Sequence, residues 1–158
     1  MGEPVGEIYL RDAKLQDMEL LFHWMNEPSV RRNSVNSREI SWEEHNSWYQ
    51  SKLESKDCDI YILMQDDTPV GQIRLDIRED GGWISFSVDI NYRGQGFGGL
   101  LLRLLEEKVQ ENRPELQWLR AVVKKDNPVS QKRFIEQGYN QMGEDVENSE
   151  LLLYCKNI

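Results

Sequence analysis

Apolar residues recur along this chain at two spacings, which predicts a mixed α/β fold. Alternating apolar and polar residues are typical of strands, and apolar residues three or four positions apart are typical of helices. Helix starts are indicated at Asp17, at Ser41 with Glu44 as a capping box, and at Asn127 before Pro128. The patterns place strands at 7–12, 59–65, 70–78, 83–90, 118–124, 139–143 and 151–156, and helices over 18–27, 41–54 and 98–110 and from residue 128.

The order of these elements is β-α-α-β-β-β-α-β-α-β-β, which predicts one mixed, twisted sheet with helices on both faces. Pro28 is expected to end the first helix, because proline disrupts helical hydrogen bonds. Gly81 and Gly82 are expected to turn the chain into the strand that ends at Ile90. We find no linker, repeat or low-complexity tract, so residues 1–158 are predicted to form a single domain.

Composition narrows the class of protein. The net charge of −9 argues against nucleic acid as a partner, because phosphate contacts need clustered Lys and Arg. There is no run of about 18 apolar residues, so no membrane-spanning segment is predicted. Cys58 and Cys155 lack a metal-binding spacing, and we expect reduced thiols and no metal. Residues 1–4 do not resemble the start of a signal peptide, so a cytoplasmic protein is predicted. For the oligomeric state, a monomer and a homodimer are both left open.

The segment from Arg93 to Gly98 carries the strongest functional signal. It joins a predicted strand to a predicted helix, whose first N–H groups have no partners and favour an anion. Glycine residues in the segment leave room for a phosphate close to the backbone. The segment lacks the Lys-Ser/Thr ending of a P-loop and the spacing of a dinucleotide fingerprint. A ligand that contains a diphosphate is therefore predicted to bind at Arg93, Gly94, Gln95, Gly96, Phe97 and Gly98.

The same segment resembles the [Gln/Arg]-x-x-Gly-x-[Gly/Ala] signature of the N-acetyltransferases of the GNAT superfamily, in which Arg93, Gly96 and Gly98 match. A second stretch, VVKKDNPVSQKRFIEQGY, is similar to that family's second conserved segment at Asn127 and Ser130. The front of the chain is similar to the ribosomal-protein and amino-sugar branches of the family, the latter including pseudaminic acid synthesis. The resemblance implies the family's fold, acetyl-CoA as donor, and direct attack by a primary amine in a ternary complex.

The resemblance also implies contacts for individual residues. On the strand before the loop, backbone groups would meet the pantetheine arm and the developing oxyanion, although such groups could instead pair in the sheet. The implied cofactor-binding residues beyond the loop are Val88, Asp89, Ile90, Asn127, Ser130 and Phe134. Many relatives have, at the position of Phe134, a tyrosine that protonates the leaving thiolate. Since Phe134 has no proton to give, the acid must be another group or water.

Acyl transfer to an amine requires a group or a water path that removes the amine proton. His45 and Asp76 are the predicted catalytic residues, the imidazole because its unperturbed pKa lies near neutrality. Structural roles are the alternative: His45 lies near Trp48 on a helix, and Asp76 lies between Arg74 and Arg78, as in cross-strand ion pairing. No Ser-His-Asp, Cys-His or H-E-x-x-H pattern indicates a nucleophilic side chain or a catalytic metal.

The acceptor is expected to bind the polar segment SVRRNSVNSREISWEEHNSWY. Arg31, Arg32 and Asn33 are the predicted acceptor-binding residues, because guanidinium groups make bidentate contacts with phosphate. The segment resembles acetyltransferases of nucleotide-activated amino sugars, which implies a small-molecule acceptor with a uridine diphosphate. A protein amino terminus is the rival acceptor, and a module that binds acyl-CoA without turnover is a third alternative. A polar surface loop without a ligand accounts equally well for the segment.

Overall fold

The computed structural model describes residues 6–158, which fold around a seven-stranded mixed sheet. Residues 1–5 lie outside the described part, and with them the residues on which we predict no signal peptide. The strands are β1 (Ile8–Asp12), β2 (Cys58–Gln65), β3 (Thr68–Arg78), β4 (Gly81–Val88), β5 (Trp118–Lys124), β6 (Asn140–Glu144) and β7 (Leu151–Asn157). The helices are α1 (Met18–Met25), α2 (Pro28–Asn33), α3 (Trp42–Glu54), α4 (Phe97–Asn112) and α5 (Pro128–Glu136).

Helices cover both faces of the sheet. The strand order is β1-β2-β3-β4-β5-β7-β6, with β4 and β5 parallel and the other neighbours antiparallel. On one face α4 and α5 bury a core that includes Leu101, Leu105 and Phe134. On the other face α1 and α3 pack on β2 through Leu21 and Tyr49. The predicted fold class is confirmed, and no helix within residues 6–158 has the length and apolar character to cross a membrane.

The region after α1 differs from the sequence prediction. Pro28 begins a further helix, α2, instead of ending the first one, and α1 already ends at Met25. Proline is well suited to the first helical position, where its missing N–H would have had no partner. The preceding residue, Glu27, caps α2 by accepting hydrogen bonds from the N–H groups of Ser29 and Val30.

The boundaries of β4 also differ. Gly81 and Gly82 lie inside the strand, not in the turn before it. A Cβ at Gly81 would lie 1.9 Å from Cδ2 of Trp118, so this position requires glycine because a neighbouring strand comes so close. At its other end β4 stops before Asp89, whose side chain accepts from the N–H of Asn91 and begins a 3₁₀ turn.

β4 and β5 separate after a short parallel contact. The register pairs residues 81–83 with residues 118–120, and within residues 6–158 it records no pair beyond these. Each strand keeps its other neighbour: β4 pairs with β3 as far as Val88, and β5 pairs with β7 as far as Lys124. The sheet therefore opens into a gap between the carboxyl ends of β4 and β5, and the glycine-rich loop follows β4 at this opening.

Candidate active site

The glycine-rich loop has the backbone shape of an open anion cradle. Gly94 and Gly96 have φ angles of 78° and 84°. These values lie in the left-handed region, which is unfavourable for residues that carry a Cβ. A Cβ at either position would meet nothing within 4 Å, so the space above both residues is open. Gly96 is the N-cap of α4, and its carbonyl accepts the first helical bond, from the N–H of Leu100 at 3.2 Å.

The first turn of α4 presents three free donors. Among the hydrogen bonds of residues 6–158, none takes the N–H of Phe97, Gly98 or Gly99. Such N–H groups, together with the positive end of the helix dipole, favour a phosphate. The side chain of Arg133 lies beside them, since a Cβ at Gly98 would be 3.5 Å from its Cγ. The loop therefore fits the diphosphate that the sequence predicts there.

The Arg93 side chain points away from these donors. Its Nε donates to the carbonyl of Val88 at 3.1 Å, Nη1 to Oγ of Ser29 at 2.7 Å and Nη2 to Oε2 of Glu27 at 3.0 Å. Although burial alone would raise the pKa of Glu27, hydrogen bonds from Ser29 and Arg93 lower this pKa to about 2. The Arg93 side chain thus forms an ion pair with the cap of α2, and its predicted phosphate contact stays a prediction.

At the end of β4, the backbone N–H groups of Val88 and Asp89 point in opposite directions. The Asp89 N–H donates to the carbonyl of Val70 at 2.8 Å, inside the sheet, so it is not free for a ligand. Bonding directions alternate along an antiparallel strand, so the N–H of Val88 faces the opposite side, toward the gap. Ile90 lies in the following 3₁₀ turn and is exposed. Of the three predicted backbone contacts, the geometry leaves Val88 as the donor in the gap.

A cavity of about 270 Å³ lies beside Val88, between α1 and the end of β4. Asp89 stands in its wall, with Oδ2 accepting from Nε1 of Trp24 at 2.8 Å and Oδ1 accepting from the N–H of Asn91 at 2.8 Å. Both donors are uncharged, so they do not neutralise the carboxylate. The cavity is lined by Leu20, His23, Trp24, Glu27, Val88, Asp89, Ile90, Asn91 and Arg93.

His45 lies in the core between α1 and α3. Its residue is 1% exposed, and Nε2 lies 2.8 Å from the carbonyl of Met18, which makes Nε2 the protonated nitrogen. Nδ1 is buried and has no hydrogen-bond partner within residues 6–158. Burial, which outweighs the hydrogen bond to Met18, lowers the pKa of the imidazole. A smaller cavity of about 170 Å³ borders the residue, but the geometry supports packing of His45 against α1 rather than proton transfer.

Asp76 is held by two cations. Its Oδ1 lies 2.7 Å from Nζ of Lys52 and its Oδ2 lies 2.9 Å from Nε of Arg74. Burial would raise the pKa of this carboxyl, but Arg74 and Lys52 together lower it. The interpretation as an ion-paired residue of the sheet therefore fits the contacts better than that of a base.

The second conserved segment supplies packing and a helix cap. Asn127 accepts from the N–H of Ser130 at 3.3 Å and caps α5. Phe134 is 2% exposed and packs its ring against Phe86, Tyr139 and Tyr154, inside the core.

Tyr139, the nearest tyrosine in sequence to Phe134, does not supply the missing acid in this geometry. Its hydroxyl is buried and has no hydrogen-bond partner in the described part of the chain. Burial also raises the pKa of this phenol, so that it holds its proton firmly. The identity of the acid that protonates the thiolate therefore stays a prediction.

Arg31 organises the acceptor segment instead of facing a ligand. It donates to the carbonyls of Met25 at 2.6 Å, Asn36 at 3.1 Å and Arg38 at 3.3 Å, and to Oγ of Ser34 at 3.1 Å. These bonds occupy most of its donors and hold the loop after α2 in shape. The other two predicted acceptor-binding residues, Arg32 and Asn33, are exposed.

The structure thus brings together a sheet that opens beside a glycine-rich helix start and a cavity at the end of the same strand. A family model described as an acetyltransferase (GNAT) domain matches residues 7–140. The chain therefore belongs to the GNAT family of acetyltransferases, which confirms the predicted superfamily and the enzyme class. No curated protein matches the chain.

Solved structures share this fold. A spermidine N-acetyltransferase from Vibrio cholerae, solved with CoA and spermine, has a TM-score of 0.84 and 14% identity, over 95% of each chain. The aminoglycoside acetyltransferase AAC(6')-Ib with coenzyme A has a TM-score of 0.82 and 17% identity, over 96% of this chain and 95% of its own. The ribosomal α-N-protein acetyltransferase RimL has a TM-score of 0.82 and 16% identity, over 98% of this chain and 97% of its own. At such identities the likeness concerns the fold.

Several residues of the cavity escaped the sequence analysis. His23, Trp24 and Glu27 lie on or just after α1, and their pattern there is that of an ordinary amphipathic helix. The side chain of Asp89 was also missed, because the resemblance concerns backbone groups at this position. The one available signal was the pair of polar residues Asn26 and Glu27 directly before Pro28, which marks a helix start with a capping residue.

Proposed function

We propose that this protein transfers the acetyl group of acetyl-CoA to a primary amine by direct attack. The observation that carries the proposal is the position of Val88, whose N–H faces the gap between β4 and β5 while the residue also lines the 270 Å³ cavity. One residue thus borders both the space for a thioester and the space for an amine. Holding two reactants together in this way contributes up to about 7–11 kcal/mol to lowering a barrier.

The loop supplies the donor site. The free N–H groups of Phe97, Gly98 and Gly99 hold the diphosphate of acetyl-CoA, and residues 94–96 give the loop its open shape. The N–H of Val88 donates to the thioester oxygen as negative charge develops there. A donor of this kind is worth about 3–4 kcal/mol in the transition state. Asn127 and Ser130, at the start of α5, are proposed to contact the pantetheine arm across the gap.

The charge of the cavity favours a cationic amine as acceptor. The carboxylate of Glu27 is paired with Arg93, whereas the hydrogen bonds that Asp89 accepts come from uncharged donors. An ammonium group beside Asp89 would be attracted and oriented before it loses its proton. Three structural neighbours are acetyltransferases named for amine acceptors: one for spermidine, one for aminoglycosides and one for a ribosomal protein's α-amino group.

A nucleotide-linked amino sugar is the second candidate acceptor. Arg32 and Asn33 are exposed at the end of α2, where a diphosphate could be contacted. With Arg31 engaged in its own loop, one guanidinium remains for that contact, which makes this acceptor the weaker candidate.

His23 is proposed as the group that takes the amine proton. Of the titratable side chains that line the cavity, Glu27 is paired with Arg93, and Asp89 is proposed to orient the ammonium group and not to take its proton. The imidazole of His23 is largely exposed, and its Nε2 lies 3.7 Å from Oε1 of Glu19. An exposed imidazole can take a proton and pass it to water.

Release of free thiol from acetyl-CoA in the presence of single amines tests the proposal. The panel contains spermidine, kanamycin, a UDP-4-amino sugar and a short peptide with a free amino terminus. Steady release with spermidine or kanamycin, with mass spectrometry showing one added acetyl group, is the expected result. Turnover with the UDP-amino sugar alone would favour the second candidate. Binding of acetyl-CoA without turnover of any amine in a broad panel would contradict the proposal and favour a binding module.

A further inference from the structure

α2 lacks the usual anchor of a helix in a globular protein. None of the residues 28–33 is buried, so packing in the core does not hold this helix in place. Besides the bonds of Arg31 to Met25 and to the following loop, two side chains from distant parts of the sequence hold it. Arg93 follows the end of β4, and Lys124 is the last residue of β5, so both come from the ends of the two diverging strands.

At the N-terminus of α2, Arg93 connects the strand end with the helix cap. The guanidinium bonds the Val88 carbonyl at 3.1 Å on the β4 side, and on the α2 side it bonds Ser29 at 2.7 Å and Glu27 at 3.0 Å. A planar guanidinium can hold several acceptors at fixed angles, which a lysine ammonium cannot. The position of α2 is thereby tied to the strand that carries the proposed oxyanion donor.

At the C-terminus of α2, Lys124 makes the second connection. Its Nζ donates to the carbonyl of Arg32 at 2.7 Å. A carbonyl in the last turn of a helix lacks a helical partner and favours a cation. The next residue, Lys125, pairs with Glu144 instead and makes no recorded contact with α2 within residues 6–158.

We propose that Arg93 and Lys124 are positioning residues that latch α2 across the open end of the gap between β4 and β5. The proposal rests on the proposed function, because Glu27, the residue that caps α2, lies in the wall of the cavity where the acceptor amine is proposed to bind. It assigns the side chain of Arg93 to the acceptor side of the reaction. The diphosphate is left to the backbone of the loop.

The test compares Arg93→Ala, Lys124→Ala and the matched control Lys125→Ala. Hydrogen exchange over residues 27–33 should be about fivefold faster or more in the first two variants and unchanged in the control. The KM for the acceptor should rise about fivefold or more, while the kcat changes less and the Kd of acetyl-CoA stays within about twofold. Because both variants release the same helix, the double variant should lose less than the product of the single effects.

Two results would overturn the latch. Unchanged exchange over residues 27–33 in both variants would show that other contacts hold α2. A loss of acetyl-CoA affinity of about tenfold in Arg93→Ala, without faster exchange, would return Arg93 to the diphosphate. Exchange and acetyl-CoA binding need no acceptor, so the latch is tested even if no amine is turned over and the proposed function fails.

Discussion

Gly96 combines two demands at one residue: a left-handed backbone and open space for a ligand. Its φ is 84°, and no atom lies within 4 Å of a Cβ built there. In the apo protein a side chain at this position would therefore meet no clash, and its cost would be conformational. The left-handed region costs roughly 1–2 kcal/mol for a residue with a Cβ.

Gly96→Val should remove the stabilisation that acetyl-CoA gives the wild type, because the new side chain occupies the phosphate's space. Gly143→Val is the matched control, since Gly143 has φ 98°, is equally open and lies in β6, away from the loop. Both variants should melt lower by a similar amount, and acetyl-CoA should raise the Tm of the Gly143 variant alone. Equal shifts with ligand in both variants would place the diphosphate elsewhere.

The two histidines are expected to separate stability from catalysis. Burial lowers the pKa of His45 in the folded state below its usual 6.5, so the unfolded chain binds the proton first as the pH falls. The contribution of His45 to the free energy of unfolding is therefore fully present above about pH 6.5. Below that pH it is lost by up to about 1.4 kcal/mol per pH unit, until the folded-state pKa is reached.

His45→Gln should flatten this acid dependence, since an amide can still donate to the Met18 carbonyl but does not titrate. Its kcat should stay near the wild-type value. His23→Gln should keep the acid dependence of stability and lose about tenfold or more in kcat/KM. Denaturant unfolding from pH 5 to pH 8 and pH–rate profiles of both variants check this. A large loss of kcat in His45→Gln would restore His45 as the catalytic base.

At the scale of elements, the short contact between β4 and β5 is the point from which the two strands diverge to form the gap. The strands touch where Gly81 pairs with Trp118. The Nε1 of Trp118 donates to Oδ1 of Asp80 at 2.8 Å, and its ring centroid lies 4.0 Å from the guanidinium carbon of Arg120. Trp118 is thus fixed from two sides and cannot easily make room for a larger residue.

Gly81→Ala should accordingly destabilise the fold by about 1–3 kcal/mol, as overpacking does. It should also weaken acetyl-CoA binding, because the strands then separate from their first pair onward. Gly99→Ala is the control for stability: its Cβ would meet the flexible end of Gln137 at 3.2 Å, within a helix that favours alanine. Thermal melts check both variants, and a Gly81→Ala protein as stable as Gly99→Ala would show that β4 and β5 tolerate a wider contact.

At the scale of the whole molecule, 28 acidic residues against 19 basic ones give the protein a net charge of −9 and an overall negative field. Such a field raises the local concentration of cations and is screened by salt, with a Debye length of about 10 Å at 0.1 M and about 3 Å at 1 M.

The KM of a cationic acceptor should therefore rise several-fold from 0.05 to 0.5 M NaCl with little change in kcat. The KM of acetyl-CoA, an anion held by backbone dipoles, is the internal control and should not rise. If the KM of the cationic amine does not change with the NaCl concentration, electrostatic recognition of the acceptor is contradicted.

The sequence by itself determined most of the elements and the place of the glycine-rich loop. Strand β5 was predicted with the bounds that it has, and Asn127 with Pro128 marked the start of α5, because these signals are local. The family could also be predicted, because its motif is a run of neighbouring residues. The cytoplasmic location, the oligomeric state and the amino-sugar branch stay predictions.

Tertiary structure decided where the side chains of the site point. Arg93 and Arg31 were both predicted to meet phosphate, yet one bonds Glu27, 66 positions away, and the other bonds the carbonyls of its own loop. The surroundings of His45 are set by its burial in the core, and those of Asp76 by its ion pairs with Lys52 and Arg74. The sequence pattern reports the period of a helix or strand, whereas the partner of a charged side chain depends on which elements the fold brings together. That is why the loop could be predicted from the sequence, and the cavity beside Val88 and the contacts of Arg93 and Lys124 with α2 could not.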